Sequence, residues 1–136
     1  MAIDPEMQEF LGMFLTEGGE NLSKLEASAA ALKSRADDAE AAETARVASH
    51  TLKGMSNQLG FGTIGSLSRA VELLFSALRK TKQAPSPDMV ASLADSVALL
   101  KVLMAQAATG DPSDPNLEAL IKRIDGLTAS CAQPQA

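Results

Sequence analysis

Apolar residues recur along this chain at intervals of three and four, the spacing that places side chains on one face of an α-helix. Four segments carry such a stripe, and the stripe of the second segment is rich in alanine. The stripes comprise Leu11, Phe14, Leu15, Leu22, Leu25 and Leu32; Ala41, Ala45, Ala48, Leu52, Met55 and Leu59; Leu67, Ala70, Val71, Leu74 and Leu78; and Val90, Leu93, Val97, Leu100 and Met104. We interpret these residues as the core-facing sides of four helices, because leucine and methionine at helical spacing are typical of a packed core.

Helix starts are marked by a capping residue followed by proline. An Asp or Ser side chain accepts a backbone N–H at the helix start, and proline fits the first helical position. Asp37 with Glu40 predicts a further start as a capping box, and Thr63 another, after the turn Gly-Phe-Gly. The capped prolines are Asp4-Pro5, Ser86-Pro87 and Asp114-Pro115.

Helix ends are marked by glycine, with Gly60 suited to a left-handed position and Gly110 preceding Asp-Pro. The predicted helices span residues 5–34, 38–59, 63–82, 87–109 and 115–130. Short connections make successive helices antiparallel. The predicted fold is therefore all-α, an antiparallel four-helix bundle with a fifth C-terminal helix. We assign residues 1–130 to this domain and residues 131–136 to the start of a linker.

Composition narrows the class of protein. The 136 residues are rich in alanine and leucine but contain only four aromatic residues, which favours helices over strands. The net charge of −5 and the lack of a basic stripe argue against nucleic-acid binding. The single cysteine, Cys131, fits a reducing compartment. The N-terminus does not resemble a secretory signal and no apolar run is long enough for a membrane helix, so we expect a cytoplasmic domain.

The second predicted helix carries the only histidine of the chain, His50. At about 100° per residue, His50 lies about 180° from the centre of the apolar stripe and is presented to solvent. The same face carries Arg46, Lys53, Gly54 and Asn57. An exposed histidine on a polar face is commonly incidental, so further features are needed before a function is assigned.

Three features favour a function for His50. Gly54 lies one turn later, where the missing side chain leaves space for an approaching group, although glycine is unfavourable inside a helix. Lys53 places a cation beside an incoming anion. Glu72 on the third helix reaches the imidazole if the two helices are antiparallel, and a carboxylate on Nδ1–H leaves Nε2 as the free nucleophile.

Other chemistries lack the residues they need. One histidine and one distant cysteine make a poor metal site, so no metal is expected. The serine-hydrolase elbow G-x-S-x-G is absent. The segment G-F-G-T-I-G matches a dinucleotide-binding pattern, but a helix precedes it where a strand is required. No phosphate-binding loop of the type G-x-x-x-x-G-K-[ST] occurs, so the chain has no ATP site or cofactor of its own.

The sequence resembles a known family at these residues. The segment H-T-L-K-G, beginning at His50 and followed by L-G-F, is similar to the H-S-I-K-G…G-F signature of histidine phosphotransfer (HPt) domains. The closest likeness is to the P1 domain of CheA chemotaxis kinases. F-L-T-E-G-G-E-N-L-S-K-L-E is similar to the first helix of that family, and A-V-E-L-L-F to its third. The spacing from His50 to Glu72 agrees without a gap.

The resemblance implies a phosphoryl carrier. His50 would accept a phosphoryl group on Nε2 from ATP bound at a separate kinase domain, and pass it to an aspartate of a CheY-like or CheB-like receiver. Glu72 would hold Nδ1–H, Lys53 would lie near the phosphoryl group, and Gly54 would permit the approach of the partner. ATP and Mg²⁺ would be bound by partner domains. Whether the chain counts as an enzyme is open, since it would be the acceptor domain of a larger histidine kinase.

The chain departs from the family at two positions and leaves alternatives open. Met55 stands where many relatives have a small residue, and Arg69 where some have a second histidine.

Residues assigned to partner binding are Arg46, Asn57, Arg69, Leu73 and Phe75. We expect a monomer, since no heptad seam is evident. The alternatives are a helical interaction or scaffold domain in which His50 is incidental, and a phosphotransfer domain of another phosphorelay.

Overall fold

The computed structural model describes residues 4–131, which form five α-helices and no strand. All helix bounds lie within two residues of those predicted, which confirms the all-α fold. The helices are α1 (Pro5–Ser34), α2 (Ala39–Gln58), α3 (Gly62–Thr81), α4 (Pro87–Ala107) and α5 (Leu117–Cys131). Cys131 is a buried residue of α5, so its assignment to the linker is wrong. The other linker residues, 132–136, lie outside the described part of the chain.

Helices α1 to α4 form a closed ring in which each packs on the next and α4 packs on α1. The pairs are antiparallel: Gly18 on α1 faces Met104 on α4, whereas Glu26, farther along α1, pairs with Lys101. Helix α5 packs on α3 and α4, outside the ring. These contacts confirm the four-helix bundle with a fifth helix. None of the helices within residues 4–131 is long and apolar enough to cross a membrane.

The core lies where the apolar stripes of the four helices of the bundle meet. Every predicted core residue of α3 and α4 is buried, and Leu25, Leu32 and Leu52 are fully enclosed. The rings of Phe14 and Phe61 pack at 5.4 Å and extend the core to the end of the bundle where α2 turns into α3. Burial of this apolar surface is what holds the helices together, because amphipathic helices gain most of their stability from packing.

Two predicted caps are confirmed and three predicted starts differ. Asp4 and Ser86 cap α1 and α4 through the amides three residues later. Helix α2 is capped by Asp38 rather than Asp37, because Asp38 Oδ1 accepts from an amide of the first turn at 3.0 Å. The neighbouring Asp37 pairs with Arg35 instead.

The other two starts lie in the connections of α3 and α5. Helix α3 begins at Gly62 without a side-chain cap, and the predicted cap Thr63 donates its hydroxyl to the carbonyl of Pro112 at 2.9 Å. That bond ties α3 to the connection between α4 and α5. Asp114 accepts from the amide of Asn116 in a turn before α5 begins. The proline signal therefore located the fifth helix but placed its start two residues early.

Two glycines serve the packing and the turn. A Cβ at Gly18 would lie 2.8 Å from Met104 Cε, so glycine here allows α4 to pack closely on α1. Gly60 adopts a φ of 80°, the left-handed conformation predicted for it, which reverses the chain between α2 and α3. This tight turn sets the register of α2 against α3, which the candidate site depends on.

Candidate functional site

His50 lies in the middle of α2, on the side that borders α3, and 62% of its side chain is exposed. The position agrees with the prediction that the imidazole faces solvent. A long helix with buried alanines beneath it holds the residue, since Ala45 and Ala48 pack α2 closely on the core. The imidazole is thus presented on a rigid element rather than on a loop.

The carboxylate of Glu72 orients the imidazole. Glu72 Oε2 lies 2.6 Å from His50 Nδ1, although the residues are 22 positions apart in the sequence. The antiparallel packing of α2 on α3 brings them together, as the sequence predicted. An ionised carboxylate only accepts hydrogen bonds, so Nδ1 carries the proton and donates. The lone pair of the neutral ring then resides on Nε2, the atom that is available to a partner.

Lys53 binds the other oxygen of the same carboxylate, with Nζ 2.7 Å from Glu72 Oε1. Sequence reasoning placed Lys53 beside an incoming anion and missed this ion pair. The available signal was the spacing of His50 and Lys53, three residues apart on one helix face, which lets a single carboxylate on α3 reach both. The three side chains form one connected group in which Glu72 is central.

The charge of Glu72 follows from its surroundings. Only 13% of its side chain is exposed, and this partial burial by itself raises the pKa of the carboxyl. The hydrogen bonds from Lys53 and His50, together with the positive charge of Lys53, outweigh burial and hold the pKa of Glu72 below its ordinary value. Glu72 is therefore ionised at neutral pH, which the acceptor role toward Nδ1–H requires.

Gly54 leaves open space next to the imidazole. It is exposed, one helical turn after His50, and a Cβ built on it would meet no atom within 4 Å. No contact inside the described chain therefore requires a glycine here. That Gly54 serves the approach of another molecule stays a prediction.

Arg46 and Asn57, on the same face of α2, are engaged in contacts within the domain. Arg46 donates two hydrogen bonds to Glu43, at 2.8 and 2.7 Å, and this pairing lowers the pKa of Glu43 and raises that of Arg46. Asn57 lies across the α2–α3 crossing, where a Cβ on Gly65 would come within 2.1 Å of its Oδ1. Glycine at residue 65 allows the two helices to approach each other there.

The residues of α3 assigned to partner binding divide into two groups. Arg69 and Leu73 are exposed, Leu73 by 38%. Phe75 is only 2% exposed and belongs to the core, so its assignment to a docking surface is wrong. The reason is that α3 packs on α2, α4 and α5 and is buried over a wider arc than a helix with two neighbours.

Sequence reasoning also missed exposed apolar side chains on α1 and α2. Phe10 and Met13 on α1 and Val47 on α2 are large exposed apolar side chains. Phe10 and Met13 line a shallow depression of about 120 Å³ together with Met55. Four larger depressions, of about 670, 570, 530 and 520 Å³, are lined by other residues and do not include His50. The candidate site is an open surface rather than a pocket for a small molecule.

Within residues 4–131, no group of three or more His, Cys, Asp or Glu side chains is arranged to hold a metal ion. The fold and the site together define a class of protein, an antiparallel helical bundle that presents one carboxylate-oriented histidine to solvent. The chain belongs to the Hpt domain family, whose model matches residues 9–129.

Two curated relatives are similar over most of this chain. The chemotaxis protein CheA of Borreliella burgdorferi is 29% identical over 108 residues, which is 79% of this chain. The gliding motility regulatory protein of Myxococcus xanthus is 27% identical over 123 residues, or 89% of this chain. The matched regions span only 12% and 16% of those two proteins.

A solved structure supports the same relationship. The phosphorylated P1 domain of CheA3 from R. sphaeroides, in complex with CheY6, matches with a TM-score of 0.84 and 26% sequence identity. The match covers 91% of this chain and 98% of the P1 domain. The likeness thus extends over the four-helix bundle and most of the rest of the fold.

Proposed function

We propose that this chain is the phosphoryl carrier of a chemotaxis-type two-component pathway, with His50 as the phosphoacceptor. The observation that carries the proposal is the 2.6 Å contact between Glu72 Oε2 and Nδ1 of a largely exposed imidazole. It leaves Nε2 with a free lone pair on the surface of a rigid helix. The relationship to CheA, and to a P1 domain solved in phosphorylated form with CheY6, supports this reading.

The chemistry needs no proton transfer on this chain. The Nε2 lone pair attacks the γ-phosphorus of ATP held by a CheA-type kinase domain, the Nε2–P bond forms, and the bond from phosphorus to the leaving oxygen of ADP breaks. The imidazole keeps its Nδ1 proton and becomes a cation. Glu72, ionised and hydrogen-bonded to Nδ1, stabilises that positive charge. Nucleotide and Mg²⁺ are bound by the kinase domain.

The second transfer reverses these bonds. A carboxylate oxygen of a receiver aspartate attacks the phosphorus, an acyl phosphate forms, and the electrons of the Nε2–P bond return to the ring. Phosphoryl transfer depends chiefly on positioning and charge stabilisation, and the receiver can supply most of both. The carrier therefore needs an exposed, oriented imidazole and no pocket. A CheY-like or CheB-like receiver in the cytoplasm is the partner that fits this requirement.

The proposal is tested by following the phosphoryl group. The chain is mixed with a CheA-type kinase core and ATP labelled on the γ-phosphate, beside a His50→Gln variant, and a receiver domain is then added. We expect an acid-labile, base-stable label on the wild type alone, followed by transfer to the receiver. Equal labelling of the variant, or none of the folded wild type by a cognate kinase core, would favour the helical scaffold instead.

A further inference from the structure

A phosphoryl group on Nε2 would add a charge of about −1.5 to −2 at neutral pH. The cations nearest in sequence on α2 are already paired. Lys53 donates to Glu72 at 2.7 Å, and Arg46 donates to Glu43 through two nitrogens. Either could add the phosphoryl group as a second partner, but the charge of each is already neutralised in large part by a carboxylate. A cation without such a partner is better suited to this contact.

Arg69 on α3 is such a cation. It is exposed, and within residues 4–131 it makes no ion pair or side-chain hydrogen bond. Two contacts between α2 and α3 show which part of α2 lies opposite Arg69. Asn57 lies over Gly65, and His50 with Lys53 reaches Glu72, so Arg69 lies between these contacts, opposite the turn that contains Lys53 and Gly54.

Arg69 and His50 also lie on corresponding sides of their two helices. Glu72 marks the strip of α3 that faces α2, and Arg69, three residues earlier, is rotated about 60° from it, toward solvent. His50 is similarly rotated on α2, about 60° outward from Lys53. Both side chains therefore lie on the outer edge of the α2–α3 contact, on the same side. Gly54 lies at about the same level as Arg69 and has no side chain to obstruct the path of a long arginine.

We propose that Arg69 binds the phosphoryl oxygens of phosphorylated His50, while Lys53 positions Glu72. The inference rests on the proposed function and assigns separate roles to the two cations. The guanidinium of arginine offers two parallel N–H donors that match two phosphoryl oxygens, whereas an ammonium provides a point charge. Arg69 therefore stabilises the phosphorylated state and does not orient the free imidazole.

The test uses a small phosphoryl donor, so that kinase recognition plays no part. Phosphoramidate phosphorylates the folded chain: Nε2 displaces ammonia from phosphorus, and the Nε2–P bond replaces the N–P bond of the donor. ³¹P NMR then reports the extent of phosphorylation and the pKa of the phosphoryl oxygens. The variants are Arg69→Gln, Arg69→Lys and Lys53→Gln, with Lys122→Gln on α5 as a control that removes the same charge from an exposed residue elsewhere.

We expect Arg69→Gln to lower the rate of phosphorylation about threefold to fivefold and to raise the pKa of the phosphoryl oxygens, because an exposed charge-assisted contact is lost. Arg69→Lys is expected to retain part of the wild-type rate and part of the wild-type phosphoryl pKa. Lys122→Gln is expected to change neither quantity. Lys53→Gln slows phosphorylation but leaves the phosphoryl pKa near the wild-type value. A merely structural role of Arg69 would not move that pKa.

Two results would overturn the inference. One is an Arg69→Gln variant with the wild-type rate and phosphoryl pKa. The other is a phosphoryl pKa that rises in Lys53→Gln but not in Arg69→Gln, which would make Lys53 the phosphoryl contact. Failure of the proposed function looks different: the wild-type chain then takes no phosphoryl group on His50, and the role of Arg69 falls with it.

Discussion

Replacing Gly54 by alanine separates the stability of this domain from its ability to meet a partner. Glycine inside a helix is less stable than alanine by about 0.8–1.0 kcal/mol. The new Cβ would meet no atom within 4 Å, so no clash offsets this gain. We therefore expect Gly54→Ala to raise the free energy of unfolding by about 1 kcal/mol, and the melting temperature by about 4 °C for a domain of this size.

The same methyl group is expected to slow phosphoryl transfer. It would project one helical turn from His50, on the face where a receiver must bring its carboxylate within about 3–3.5 Å of phosphorus. A displacement of about 1 Å can cost on the order of a hundredfold in rate, so we expect transfer to fall by about tenfold or more. The substitution would thus stabilise the free protein and impair its function.

A matched control separates these two effects. Gly126 on α5 is also an exposed helical glycine whose Cβ would meet nothing within 4 Å, and it lies on a helix that does not contact α2. Gly126→Ala is expected to give a similar gain in stability with wild-type transfer. Urea denaturation measures the first quantity, and transfer of label to a receiver the second. If Gly54→Ala transfers at the wild-type rate, the space at Gly54 is not used by the partner and the reasoning is refuted.

Three further experiments with substituted proteins test the site and its support. Glu72 has a lowered pKa, so its contribution to stability is present above the ordinary value of 4.5 and is lost as the pH falls through the folded value. The difference in melting temperature between wild type and Glu72→Gln should therefore shrink from pH 7 to pH 3; a constant difference would contradict the assigned charge. Gly65→Ala should be less destabilising in an Asn57→Ala background than in the wild type, because the new Cβ meets Asn57 Oδ1. If the two substitutions change the free energy of unfolding additively, that contact is excluded. Phe75→Ala should cost about 3–5 kcal/mol in stability, whereas Leu73→Ala should change stability little and lower receiver transfer; a mild Phe75→Ala would contradict its burial.

Helix positions could be predicted because their signals are local. Each signal involves residues that are close together in the chain: the spacing of apolar residues, the capped prolines and Gly60. The observed helix bounds agree with the predicted ones to within two residues. Errors arose where two neighbouring residues compete for one role. Asp37 and Asp38 are both suitable caps, and only the path of the chain from α1 selects Asp38.

The central contact of the site was also predictable, since His50 and Glu72 follow from the antiparallel packing of two adjacent helices and from the resemblance to a family. The role of Lys53 was not. Lys53 pairs with Glu72 because α2 and α3 approach each other closely. Gly65 allows that approach, and the periodicity of the sequence does not reveal the contact it makes.

The sequence by itself determined the helices, their order and the exposure of His50, because periodicity and capping involve residues close together in the chain. Tertiary structure alone decided which side chains meet across helices. Phe75 is buried because α3 has three helical neighbours, and Thr63 bonds Pro112 because the α4–α5 connection passes beside the start of α3. A helical wheel describes one helix, whereas burial and ion pairing depend on the positions of all of its neighbours.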